Sequence, residues 1–225
     1  MNDFRDRISK LTGIGRFVDV ALIARDLIVT NKQLLTGKTI NVNPALVGIV
    51  SERSKHVFNI LKISVETTRI SGLTVNFDNG TPKNTLLEEF RNPQILLSHT
   101  NSLCWNRFTV CKELMYYYLE ETATANKPEK GDVGKDLISK LSSISGSFCE
   151  IKKEDDLDKE QFTFCLAIEV MLPWVWRDEV HDMNEQGFTN KEIATRFKVP
   201  EAIIEMYFTS GYKELSIETN TGLDA

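Results

Sequence analysis

The apolar residues of this chain change period twice, and that change constrains the fold more than any single motif. Phe4, Ile8 and Leu11 recur at helical spacing, and so do Leu46, Ile49, Val50, Val57, Ile60 and Leu61, with Asn43-Pro44 marking a helix start. From Leu73 the period drops to two. Leu73, Val75 and Phe77 alternate with Thr74, Asn76 and Asp78 before an Asn79-Gly80 turn, and a second apolar run follows from Ile95 to Leu97. The helical period then returns over Asn106 to Glu121, where Phe108, Cys111, Met115, Tyr118 and Leu119 fall every three or four residues. Helical stretches on both sides of one short alternating stretch predict an α+β fold, mostly helical, with a small central β-sheet.

Further along, Thr122 to Asp136 is polar, contains Pro128, Gly131 and Gly134, and reads as a loop. A short helix is expected from about Leu137 to Leu141, then a serine-rich connection, Ser142 to Ser147, and a strongly apolar helix over Lys159 to Met171 that Pro173 stops. Near the C-terminus, Thr189 with Glu192 three residues on forms a capping box for a helix over Lys191 to Phe197. Val199-Pro200 then turns into a second helix, Glu201 to Phe208, giving a helix-turn-helix-like segment. The chain divides into an N-terminal helical region (1–69), a core (70–178), a C-terminal helical segment (179–217) and a tail (218–225), expected to form one compact unit.

A chain of 225 residues with 41% hydrophobic side chains can bury a substantial core. No window approaches the roughly 18 to 20 apolar residues that a bilayer requires. Met1 to Lys10 mixes acids and bases ahead of no apolar stretch, so neither export nor membrane insertion is expected. The four cysteines, Cys104, Cys111, Cys149 and Cys165, are irregularly spaced without a CxxC, which suits buried thiols in a cytoplasmic protein. A net charge of −5 argues against a large nucleic-acid footprint, since phosphate binding draws on clustered Lys and Arg. Charge is densest from Glu150 to Glu160, three lysines against six acids, a composition that suits a solvated face.

The stretch Arg107 to Tyr118, RFTVCKELMYYY, resembles the RFTLAHELGH type of segment that marks the ImmA/IrrE family of zinc endopeptidases. Arg107, Phe108, Thr109, Glu113 and Leu114 match, and the two histidines do not. In zincins a HExxH helix sets two imidazoles one turn apart on a single zinc ion, and the intervening Glu acts as general base on the metal-bound water. Here Lys112 and Tyr116 stand at the ligand positions. A lysine of pKa about 10.4 is cationic at neutral pH and repels Zn²⁺, and a phenol of pKa about 10 is a poor ligand. Downstream, LAIEVMLP (Leu166 to Pro173) is similar to the family's FAAELLMP block. On that alignment the third ligand position is Phe162, with Asp158 and Glu160 two and four residues away. Phe188 to Phe208 resembles the family's closing helices through Ile193, Ala194, Arg196, Phe197 and Val199, and Val18 to Leu27 resembles its opening helix. The resemblance implies a degenerate, zincin-like core that has lost its metal.

On this basis no catalytic residue, cofactor or metal is expected, with Lys112, Glu113 and Tyr116 a remnant of the motif. Glu113 is either a surviving base or an acid paired with Lys112 or Arg107. The Lys112 ammonium either lies in water or fills the emptied metal pocket against Asp158 or Glu160. Tyr116, Tyr117 and Tyr118 with Trp105 are expected to share core and pocket lining, with at least one tyrosine in the core, and Trp174 and Trp176 to cover that same pocket. The three histidines, His56, His99 and His181, have no ligand partner at helical spacing. Arg107, Lys112, Glu113, Tyr116, Tyr117 and Trp174 are the residues expected to line a partner groove.

The active members of that family are regulatory proteases, often carried on mobile elements, that inactivate Xre-type helix-turn-helix repressors. The resemblance therefore implies a non-catalytic regulatory protein that holds such a repressor, or a similar regulator, without cutting it. An atypical hydrolase centred on Glu113 is the alternative. Direct DNA binding is the weaker one, because the second helix of the C-terminal pair has no Arg or Lys between Pro200 and Ser210.

Overall fold

The computed structural model describes residues 17–63, 72–75, 92–120 and 159–208. Over these residues the fold is mostly helical, with two small β-sheets. Helix α1 (Phe17–Thr30) leads through a single 3₁₀ turn into a hairpin, β1 (Leu35–Thr36) and β2 (Thr39–Ile40). The hairpin closes on Gly37, whose φ of +60° is a conformation that glycine adopts without steric cost. Past a cis Asn43-Pro44 peptide, α2 (Val47–Ser54) ends at Lys55, itself left-handed at φ 55°. The second sheet follows: β3 (Asn59–Ile63), β4 (Gly72–Val75) and β5 (Gln94–Ser98), in the order β3-β5-β4. β3 runs parallel to β5 with Ile60 opposite Ile95, and β4 runs antiparallel with Leu73 opposite Leu96. The remaining helices are α3 (Leu103–Glu120), α4 (Lys159–Met171), α5 (Arg177–Glu185), α6 (Asn190–Phe197) and α7 (Glu201–Tyr207). None of the described helices is long and apolar enough to cross a membrane.

One expectation is corrected. Val57, Ile60 and Leu61 are not helical: the left-handed Lys55 ends α2, Val57 is exposed, and Ile60 and Leu61 lie in β3, which pairs with β5. The stretch 1–69 therefore contributes strands as well as helices, and β3 carries the central sheet back into it. A short apolar run cannot be assigned from its period alone, and strand pairing decided this one. The hairpin β1–β2 was not anticipated. Phe4, Ile8 and Leu11, the Asn79-Gly80 turn, the loop of 122–136, the helix of 137–141, the serine-rich connection and the tail all lie outside the described residues.

The other expected elements are present. β4 and β5 fall on the Leu73 and Ile95 runs, α3 covers the helix read over Asn106 to Glu121, and α4 has the expected bounds. Every residue from Phe162 to Leu172 is buried, as an all-round apolar helix must be. α4 packs on both α1 and α3, and α3 also covers β4 and β5. The edge-to-face pair Phe108–Phe164, with centroids 5.2 Å apart, fixes the α3–α4 joint. At the C-terminal pair the Thr189 hydroxyl accepts from the Glu192 amide, and the Glu192 carboxylate accepts from the Thr189 amide at 2.8 Å, completing the capping box.

Candidate functional site

Helix α3 positions the motif residues, and its 3.6-residue repeat sorts them. Phe108, Cys111, Leu114 and Met115 point into the core and are fully buried. Burial raises the Cys111 thiol well above its ordinary pKa, and its Sγ contacts the Ala167 carbonyl of α4 at 3.9 Å. Lys112 and Tyr116, one turn apart, are half-buried. The Lys112 ammonium lies 3.9 Å from the Glu113 carboxylate, one of the pairings expected for that acid. Phe162, at the third ligand position, is 3% exposed and part of the hydrophobic core. Among the described residues no three His, Cys, Asp or Glu side chains are grouped to hold a metal. Asp158 lies outside the described residues, as does the side chain of Glu160.

Tyr117 and Tyr118 are core residues, and Trp105 and Tyr116 are half-buried. Tyr117 is buried, its ring 4.9 Å from Phe58 and 5.9 Å from His56, and Tyr116 stands edge-on to it at 6.2 Å. Tyr118 lies under the Arg53 guanidinium, 4.2 Å from its centroid, and burial raises its pKa. Trp105 meets Phe108 edge-on, Trp176 lies against Phe197 of α6, and Trp174 sits under the Arg25 guanidinium of α1 at 5.4 Å. The three histidines do not converge: His56 packs on Tyr117, His181 on Tyr207 and Phe208, and His99 is exposed.

Arg107 departs from the expected grouping. Five residues along an α-helix rotate the side chain by about 140°, so Arg107 and Lys112 face different ways. Its guanidinium donates to the Ile40 carbonyl at 2.6 Å and to the Lys198 carbonyl at 3.3 Å, joining the hairpin, α3 and the turn between α6 and α7. A second clamp lies beside it: the Glu179 carboxylate of α5 binds Lys38 of the hairpin turn and Arg196 of α6, 2.7 Å from its Nε. Hydrogen bonding from Lys38, then from Arg196, holds Glu179 below the usual carboxylate pKa. Replacing Arg107 by alanine is expected to cost about 1–3 kcal/mol by removing the donors of two carbonyls. Lysine should recover only part of this, because a single ammonium does not match the guanidinium fork. Urea midpoints of the three proteins, compared at constant m-value, check both statements.

Beside Arg107 lies a groove of about 550 Å³, lined by the hairpin, β3, β5, the first half of α3 and Lys198. Lys112, Glu113, Tyr116, Tyr117 and Trp174 are not among its lining residues, so the structure does not bring the six expected partner residues into this one groove. Lys62 and Lys198, which do line it, were not singled out from the sequence. They stand 136 positions apart, and only the fold unites them. No family model, curated protein or solved structure matches the chain.

Proposed function

We propose that this chain is a non-catalytic regulatory protein of the ImmA/IrrE type, with a degenerate zincin-like core, that binds a protein partner without zinc-dependent cleavage. On the resemblance, that partner is an Xre-type repressor or a similar regulator. The ligand-equivalent positions carry this conclusion: an ammonium paired with Glu113 at 112, a phenol one turn on at 116, and a core phenyl ring at 162. None of the three offers zinc the neutral imidazole or free carboxylate it requires at neutral pH. The packing of α3 on α4 supports the same conclusion, since it juxtaposes the helices that carry the two principal blocks of resemblance. The C-terminal helices support a structural role for their motif: α7 exposes Glu201 and Glu205, which repel phosphate, and Arg196 is engaged by Glu179.

The test combines zinc analysis of protein purified without chelator with incubation against Xre-type repressors from the host. The expected outcome is far less than one zinc per chain, together with a repressor that co-elutes intact on size exclusion. Stoichiometric zinc, with repressor cleavage that Glu113→Gln abolishes, would establish the hydrolase instead.

A further inference from the structure

We propose that the groove beside Arg107 binds a small molecule that joins an apolar body to a single anionic group, a phosphate or a carboxylate. This site is separate from the Lys112–Tyr116 positions and does not depend on the function proposed above. Its volume of about 550 Å³ falls inside the roughly 300–1,000 Å³ range of small-ligand sites. Ile40, Ile60, Leu97 and Val110 supply apolar lining from four different elements. Leu103, 67% exposed at the start of α3, also lines the groove and is apolar surface that a ligand would cover.

The charge is one-sided. The described lining residues include Lys62, Arg107 and Lys198 and no acid. Three cations with no acid among them complement an anion. Arg107 is also held in place before any ligand arrives, by the Ile40 and Lys198 carbonyls, so that part of the ordering cost of binding is already met. Asn106, a further lining residue, is 5% exposed and its Oδ1 has no hydrogen-bond partner. Such a buried acceptor favours a ligand that carries an N–H or O–H near its anionic group. Because the lining includes both the hairpin and Lys198, an occupant would touch the core and the C-terminal helical pair together.

The left-handed backbone of Lys198 supplies the key variant. At φ 52° glycine is the less strained residue, so Lys198→Gly removes a cation without loosening the fold. Lys55→Gly makes the same change at φ 55°, in a residue that does not line the groove. The full-length chain is titrated by calorimetry and amide NMR with octyl phosphate, octanoate, octanol and inorganic phosphate, all below their aggregation concentrations. Octyl phosphate or octanoate should saturate at one per chain, shifting the amides of Thr39, Ile40, Asn106 and Lys198, and the tighter of the two identifies the anionic group. Octanol and inorganic phosphate should each bind at least about tenfold more weakly. Lys62→Gln and Lys198→Gly should each weaken the preferred probe about three- to tenfold. Lys55→Gly should bind like the wild type, and neither glycine variant should lower Tm. Octanol binding as well as the anionic probes, the absence of a saturable site for either anionic probe, or equal losses in Lys55→Gly and Lys198→Gly would overturn the proposal.

Discussion

Glu169→Leu is expected to destabilise the protein by about 3–5 kcal/mol, although leucine is similar in size and the surroundings are apolar. Glu169 is 3% exposed on the buried stretch 162–171 of α4, and its carboxylate accepts from the guanidinium of Arg177, which is 7% exposed at the start of α5. Removing the acid leaves a cation buried without the anion that compensates its desolvation. The double variant Glu169→Leu with Arg177→Met should regain most of the loss, because both charges are then gone and the methylene volume remains. Urea unfolding of the wild type, both single variants and the double closes the cycle. Losses in the singles that simply add in the double would show that the pair does not act as a unit. Glu169 is the acid of the LAIEVMLP block. Its structural partnership gives a packing reason for an acid in the buried last turn of α4.

That pairing illustrates what was legible in the sequence and what was not. Local signals were read directly: the apolar run of α4 and its proline stop, the capping box at Thr189 and Glu192, and the alternation that became β4. Each depends on residues within a few positions of one another. The misses are long-range. Ile60 and Leu61 suit a helix or a strand equally well on period, and the choice was made by β5, 35 positions away in the chain. The groove failed to emerge for the same reason, since its three cations come from β3, α3 and the α6–α7 turn. Arg107 and Lys112 are expected together because both lie in the segment of resemblance, although helical geometry alone turns them apart. The pairing of Lys112 with Glu113, by contrast, is one of the alternatives the sequence offers, and the burial of Phe162 follows from the apolar run of α4.

Phe108→Ala is expected to cost about 3–5 kcal/mol, the range for truncating a buried aromatic side chain. Phe108 has no exposed surface, and its ring meets Phe164 at 5.2 Å and Trp105 at 6.0 Å, both edge-on, so alanine opens a cavity where α3 and α4 join. Phe108→Leu keeps more of that volume and should cost markedly less, which separates loss of packing from loss of a particular contact. Chemical denaturation of both variants decides this, and a Phe108→Ala loss below about 1 kcal/mol would contradict close packing at the joint. The result bears on how RFTVCKELMYYY is read. Phe108 and Leu114 are core residues, so burial is sufficient reason for their place in the segment, whatever its ancestry. Lys112 and Tyr116 are half-buried, with Lys112 beside Glu113 and the Tyr116 ring edge-on to Tyr117. The proposed loss of zinc binding therefore rests on these two positions, where a lysine and a tyrosine stand in place of the two imidazoles that the resemblance implies.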